Sequence, residues 1–341
     1  MNATSCAIVQ DVYRPFSSVV VVLIAEGLLG FLALLASLVM TIMLYATRVF
    51  KFNCRIVLIC LALGAVTANI GVLLRSAFFS YVVFTQLPTK LCSWLMLGNR
   101  ECFTLNNTYL TGCLVLLISP VLLSIERLFD TFFASEGAKP KKFVGISMAM
   151  FAAFLTVGAS IFNTLWTVSH RSLGSAPYAD GLCPADLFTG GKQSIFYVFL
   201  LFHFCSLLIF VVLWLHNNSN MVQKHIAMAS SHFLDNVVET EMTFPVVVLG
   251  SIFLIGHFII DYGHLKKIDE VFTTQTHIDV HLRDDPTSIF MWSELQVCLA
   301  PVFSLLISRT VLRCLPPVFS WRNTESVVPQ RFSSGSTIEK C

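Results

Sequence analysis

The sequence has 341 residues, of which only 12% are charged and 55% are hydrophobic, with 30 phenylalanines. Soluble domains carry roughly 25% charged residues, so this chain has too few charges to cover a water-exposed surface. Its net charge of +2, without a basic block, provides no surface that would attract nucleic acid. The composition therefore indicates an integral membrane protein.

The cysteines and histidines give no pattern typical of a metal centre. The eleven cysteines are an odd number without Cys-x-x-Cys spacing, which argues against a disulfide scaffold or a zinc module. His277 and His281 are four residues apart and on a helix could bind one metal ion, but the chain has no adjacent histidine pair. A solvated loop is the favoured interpretation of this segment. The sequence predicts neither a metal nor another cofactor, and no enzymatic activity.

Seven apolar runs are long enough to cross a bilayer as helices, which takes about 20 residues. They are Val19–Ala46, Ile56–Phe79, Phe103–Ile125, Phe143–Val168, Ile195–Leu215, Phe244–Ile260 and Ile289–Ile307. The first run is too long for the core of a signal peptide and is expected to stay in the protein. The seventh contains Glu294 and Pro301, so six spans are the main alternative. The predicted fold is all-α, a seven-transmembrane helix bundle.

The distribution of basic residues predicts the orientation, because positively charged loops stay in the cytoplasm. With the N-terminus outside and the C-terminus inside, thirteen Lys and Arg residues fall on the inner side and eight on the outer side. The predicted organisation is a short extracellular segment (1–18), a receptor-like bundle (19–308) and a cytoplasmic tail (309–341). Asn2 begins a glycosylation sequon on the outer side. Cys314 is a possible palmitoylation site, with an unmodified thiol as the alternative.

The third span carries the most informative pattern. Cys102 and Arg127 are 25 residues apart, about 37 Å along a helix, so one lies at each membrane surface and Glu126 lies beside Arg127. Cys183 is the only cysteine in the outer loop that follows the fourth span. A disulfide between Cys102 and Cys183 would hold this loop over the bundle, with Cys92 as the rival partner.

This arrangement resembles a G protein-coupled receptor. Glu126-Arg127 stands where that superfamily carries its acid–arginine motif, and Cys102 matches the cysteine of its third helix. The resemblance implies that Glu126 and Arg127 control an inner cavity where a heterotrimeric G protein docks. An arginine that only anchors the helix end is the alternative. Other switch motifs of the rhodopsin-like class are absent from the sixth and seventh spans, so only these three residues carry over.

A narrower resemblance rests on three inner segments. Phe50–Leu58 leads into the second span, Ser124–Phe132 closes the third, and Asp235-Asn236 precedes Pro245 at the start of the sixth. Together they are similar to the nematode serpentine chemoreceptors of the Sra superfamily, with the Srab or Sra class nearest. The resemblance implies a chemosensory receptor in the plasma membrane, in the cilia of sensory neurons, with a small-molecule chemical ligand.

Three ionisable residues lie inside predicted spans, where a charge is costly and marks a functional hypothesis. Glu26 and Glu294 each lie about 10 Å below the outer surface and Arg75 about 6 Å below the outer end of its span, so all three lie in the outer third. We predict that they form an ion-pair cluster facing the interior of the bundle. The cluster either contacts the ligand or only stabilises the helices.

Two functions from different classes are compatible with this sequence. A receptor would bind an external small molecule among the outer halves of its helices and signal to a G protein. A transporter or channel is the alternative, but such folds often contain duplicated halves, and the chain shows no internal repeat. The intramembrane charges also stop at one depth and do not line a path.

Overall fold

In the computed structural model, the described part of the chain forms seven helices. The structure describes residues 13–14, 17–47, 49–85, 99–132, 142–169, 193–224, 231–275 and 286–313, and within these ranges it contains no strand. The helices are α1 (Ser18–Ala46), α2 (Phe52–Thr85), α3 (Asn99–Phe132), α4 (Lys142–Ser169), α5 (Gln193–Lys224), α6 (Ser231–Gln275) and α7 (Pro286–Arg313). Each of the seven predicted spans falls within one helix, which confirms the seven-helix prediction.

Apolar length makes most of these helices able to cross a membrane. Six of them are long and apolar enough to do so, and Phe143–Gly158 provides a shorter apolar stretch in α4. Large apolar side chains point away from the bundle, such as Leu28 on α1, Phe154 on α4 and Phe204 on α5. Such an extensive apolar exterior matches lipid and not water. The chain is therefore a multi-pass membrane protein.

The sixth helix differs most from the sequence-based boundaries. The apolar run Phe244–Ile260 predicts a short span with Pro245 in its first turn, but α6 has 45 residues and Pro245 lies inside it. Hydropathy measures which residues match the bilayer core, whereas a helix continues wherever its backbone hydrogen bonds can form. A proline inside a transmembrane helix is tolerated because neighbouring groups can satisfy the backbone atom that it leaves unpaired.

Helix α3 packs against several of the other helices. Helix α1 contacts α2 and α7, α6 contacts both α5 and α7, and α3 contacts α2, α4, α5 and α6. Glycines bring α2 and α3 together, because a Cβ on Gly112 would lie 2.2 Å from the Ala68 nitrogen and one on Gly71 would lie 2.3 Å from the Tyr109 nitrogen. These close contacts fix the position of α3 against α2.

Candidate functional site

Two buried clusters of charged residues lie near opposite ends of α3. The first, which we call the Arg75 cluster, consists of Glu26, Arg75, Asn106 and Glu294. The second, the Arg127 cluster, consists of Lys51, Glu126, Arg127, Asp130 and Glu239. Asn106 and Arg127 are 21 residues apart on α3, which corresponds to about 31 Å of helix. The bundle therefore holds one polar centre towards each membrane surface, joined by a single helix.

The guanidinium of Arg75 joins three helices, α2, α3 and α7. Arg75 on α2 forms an ion pair with Glu294 on α7, with 2.6 Å between Nη2 and Oε1. It also donates a hydrogen bond to Oδ1 of Asn106 on α3, at 3.1 Å. Both charged side chains are almost fully buried. The structure thus brings together Arg75 and Glu294, two of the three residues that the sequence pointed to in the outer third.

The third of these residues, Glu26 on α1, has a different environment. Its side chain is completely buried, and its carboxyl group lies near the Glu294 carboxyl. Among the described residues, no donor reaches either of its oxygens. Glu26 therefore faces a second acid and does not pair directly with Arg75.

Aromatic residues cover the same cluster. Phe79 on α2 stacks on Tyr13, with ring centroids 5.8 Å apart, and the Arg75 guanidinium lies 5.2 Å from the Phe79 centroid. Tyr13 is buried although it precedes α1. Burial and the neighbouring Glu294 carboxylate raise the pKa of its phenol above the ordinary value. The N-terminal segment thus contributes a neutral aromatic ring to the site.

The Arg127 cluster links α3 to α6. Arg127 donates from Nε and Nη2 to the two Glu126 oxygens, at 2.6 and 2.7 Å, so this pair is bidentate. Its Nη1 donates to Oε2 of Glu239 on α6. Arg127 is 1% exposed, so water does not compensate for a lost partner. These ion pairs hold the N-terminal part of α6 against α3.

The turn between α1 and α2 reinforces this contact. The Lys51 backbone N–H donates to Oε1 of Glu239, the oxygen that Arg127 leaves unused. The Lys51 ammonium forms an ion pair with Asp130, at 2.8 Å, and the Arg127 guanidinium lies 3.9 Å from the same carboxylate. Glu239 is therefore held from two sides, by a side chain of α3 and by the backbone of the α1–α2 turn.

Glu239 is a residue that the sequence interpretation missed. The resemblance pointed to Asp235, which lies one helical turn earlier in α6 and whose side chain lies outside the described residues. Because Asp235 and Glu239 are four residues apart, they lie on one face of the helix. This face was the available signal, but the predicted span began only at Phe244, so Glu239 was not singled out.

Polar contacts also occur between the two clusters. His203 on α5 contacts the Leu117 carbonyl oxygen at 3.0 Å and the Ser251 hydroxyl on α6 at 3.3 Å. The Tyr109 hydroxyl donates to the Gln296 backbone carbonyl, at 3.2 Å, and the Gln296 amide lies 3.4 Å from His257. These contacts connect α3 to α5, α6 and α7 in the middle of the bundle.

Several residues singled out in the sequence lie outside the part of the chain that the structure describes. They are Asn2, Cys92, Cys183, His277, His281 and Cys314. Cys102 belongs to α3, but only its backbone is described. The disulfide, glycosylation, palmitoylation and metal hypotheses at these positions stay predictions. Among the described residues, no group of three or more His, Cys, Asp or Glu side chains could hold a metal ion.

Comparison with known protein families gives one match. Residues 3–279 match the family described as serpentine type seven-transmembrane GPCR, receptor class ab chemoreceptor. No curated protein matches the chain. The match covers α1 to α6 and includes both charged clusters except for Glu294 on α7.

Proposed function

This chain belongs to the serpentine class ab chemoreceptor family of G protein-coupled receptors, and we propose that it binds an external small molecule and signals to an intracellular heterotrimeric G protein. Membership of a receptor family supports a receptor and not an enzyme. The narrower statements, that this chain binds a ligand and activates a G protein, rest on the geometry of the two clusters.

The contact that carries the proposal is the one between Arg127 and Glu239. It joins α3 to α6 at the inner end of the bundle, and both partners are buried. Breaking a buried ion pair by removing one partner costs about 3–5 kcal/mol, so α6 is held firmly in this arrangement. We assign this arrangement to the inactive receptor. In the active receptor, α6 moves away from α3 and a G protein occupies the opened cavity.

Ligand binding is assigned to the half of the bundle that contains the Arg75 cluster. This cluster joins α1, α2, α3 and α7, so a molecule that binds against it can shift several helices together. A ligand changes the receptor only by its difference in affinity for the two states. Because α3 joins both clusters, a rearrangement at Asn106 reaches Arg127 through one rigid helix.

We propose that the N-terminus is outside and the C-terminus inside, in the plasma membrane of sensory cilia. The excess of basic residues on the Arg127 side supports this orientation. It makes residues 1–18 extracellular, residues 19–308 the membrane domain and residues 309–341 cytoplasmic. The accessibility of epitope tags at the two termini in intact cells tests the orientation, and two tags in one compartment would refute it.

A G protein biosensor in cultured cells tests the signalling proposal without knowledge of the ligand. Glu239→Gln removes the charge that pairs with Arg127, so we expect the basal activity per receptor at the surface to rise several-fold. Glu241→Gln is the matched control, because this acid is two residues away on the same helix and is exposed. Equal basal activities for Glu239→Gln, Glu241→Gln and the unmodified receptor would refute the assignment. Ion flux without G protein activation would favour a transporter or channel.

A further inference from the structure

The Arg75 cluster has one more acid than base. Arg75 provides one positive charge, whereas Glu26 and Glu294 provide two carboxyl groups, and all three residues are at most 1% exposed. An unpaired charge in such an environment is costly, because neither water nor lipid compensates for it. If both acids were ionised, the cluster would carry a buried net negative charge.

The geometry shows where this excess negative charge lies. One Glu294 oxygen accepts from Arg75 at 2.6 Å, while the other and both Glu26 oxygens receive no hydrogen bond within the described ranges. The Glu26 carboxyl nevertheless lies near that of Glu294. Two ionised carboxylates at this distance repel each other, so a positive charge must lie between them.

We propose that the Glu26–Glu294 pair binds one positive charge, a proton in the empty receptor and the ammonium group of an amine ligand in the occupied one. This inference rests on the proposed receptor function and names the chemical class of its ligand. The ammonium displaces the shared proton, so both carboxyls are then ionised. Its N–H groups donate to the oxygens that lack a donor.

The surroundings of the pair match the recognition of an ammonium group. The Tyr13 and Phe79 rings lie beside the cluster, and aromatic faces attract cations as carboxylates do. Tyr13 belongs to the segment that precedes α1, so this segment supplies part of the aromatic surroundings.

The proton and the ammonium compete for the same place, which gives the site a characteristic pH dependence. Besides Glu26 and Glu294, the ionisable groups that face the pair are Arg75 on α2, the Tyr13 phenol and the Cys298 thiol on α7. At neutral and lower pH the arginine stays charged and the phenol and thiol stay neutral. Falling pH therefore acts on the carboxyl pair, and we expect the apparent affinity for an amine to decrease.

The experiment uses the purified receptor in lipid nanodiscs and measures its thermal unfolding midpoint. The probes are methylammonium, butylammonium and benzylammonium chloride, each compared with the alcohol of the same carbon skeleton and with sodium chloride. We expect at least one amine to raise the midpoint saturably, whereas its alcohol and sodium chloride do not. Amines that act no more strongly than their alcohols would overturn the proposal.

Two variants locate the effect. Glu26→Gln retains the shape of the side chain, and its amide can donate a hydrogen bond to Glu294, so the variant resembles the proton-bound pair. We expect the amine concentration that gives half of the maximal midpoint shift to rise at least tenfold. Glu241→Gln, an exposed acid on α6, should leave it unchanged. If Glu26→Gln does not fold, the pH series on the unmodified receptor decides. An amine affinity that does not fall towards acidic pH would refute the site.

This experiment is independent of the test of signalling. The thermal shift requires no G protein, and the comparison of Glu239→Gln with Glu241→Gln requires no ligand. A receptor with raised basal activity in Glu239→Gln but no amine effect would keep its proposed function and lose the amine site. The reverse result would keep the amine site and remove the assigned coupling mechanism.

Discussion

Arg127 and Glu239 are 112 positions apart in the chain, yet they form an ion pair buried between α3 and α6. The Glu239 carboxylate also accepts a hydrogen bond from the Lys51 backbone. Three parts of the chain therefore meet at one side chain. Each of the two Glu239 oxygens accepts from one of these partners. Glu239 would therefore lose both contacts if α6 moved away from α3.

Asp130→Asn is expected to raise basal signalling less than Glu239→Gln does. The variant removes the partner of the Lys51 ammonium, but this ion pair is partly exposed, with 18% of the Lys51 side chain accessible, and exposed pairs contribute only about 0–1 kcal/mol. The Arg127–Glu239 pair remains intact. The measurement is basal G protein activation normalised to surface expression. A rise equal to that of Glu239→Gln would show that Lys51 holds α6 through its side chain.

Arg75→Leu is expected to destabilise the receptor more than the double variant Arg75→Leu/Glu294→Leu. The single change leaves Glu294 buried without its cation, which costs about 3–5 kcal/mol. The double change removes both members of the pair, so part of this free energy should return. The measurement is the unfolding midpoint of the purified receptor. A double variant no more stable than the single one would show that the pair itself is not the source of the loss.

Gly112→Ala is expected to lower the unfolding midpoint, whereas Gly158→Ala is not. The new Cβ at position 112 would meet the backbone of Ala68 at 2.2 Å, so α2 and α3 would have to separate. Overpacking of this kind costs about 1–3 kcal/mol. Among the described residues, no atom outside the adjoining backbone of its own helix lies within 4 Å of a Cβ on Gly158. If both changes lowered the midpoint equally, the loss of stability could not be attributed to the α2–α3 contact.

A disulfide between Cys102 and Cys183 is expected from the sequence. Replacing either cysteine by serine should lower surface expression to the same extent, and the double replacement should add nothing further. A disulfide of this kind contributes about 2–4 kcal/mol to stability. Cys92→Ser is the control and should behave like the unmodified receptor. Peptide mapping under non-reducing conditions identifies the bonded pair, and a Cys92–Cys183 peptide would assign the disulfide to the rival partner.

The sequence was sufficient to predict the helices, because a bilayer requires long apolar runs and seven runs of this kind are readable in one dimension. It was less informative about where helices end. Helix α6 extends from Ser231 to Gln275, well beyond the apolar residues Phe244–Ile260, because polar residues outside the bilayer core can also form helix. The predicted span therefore did not include Glu239, which lies in the polar first part of α6.

The charged residues within the apolar runs show the same difference between what a sequence predicts and what it does not. A charge in an apolar run is visible from the sequence, and Glu26, Arg75 and Glu294 were singled out for that reason. Their partners were not visible, because pairing depends on which helices are neighbours and on which face each side chain lies. The structure pairs Arg75 with Glu294 and Asn106 and leaves Glu26 facing an acid.

By itself, the sequence determined the class of protein, the number of helices and the presence of charges that must be compensated, since hydropathy and burial costs are properties of residues along the chain. Only the tertiary structure decided that Glu239 meets Arg127 and that Glu26 faces Glu294. These contacts join residues more than a hundred positions apart. They depend on how the helices pack, which no local pattern of residues specifies.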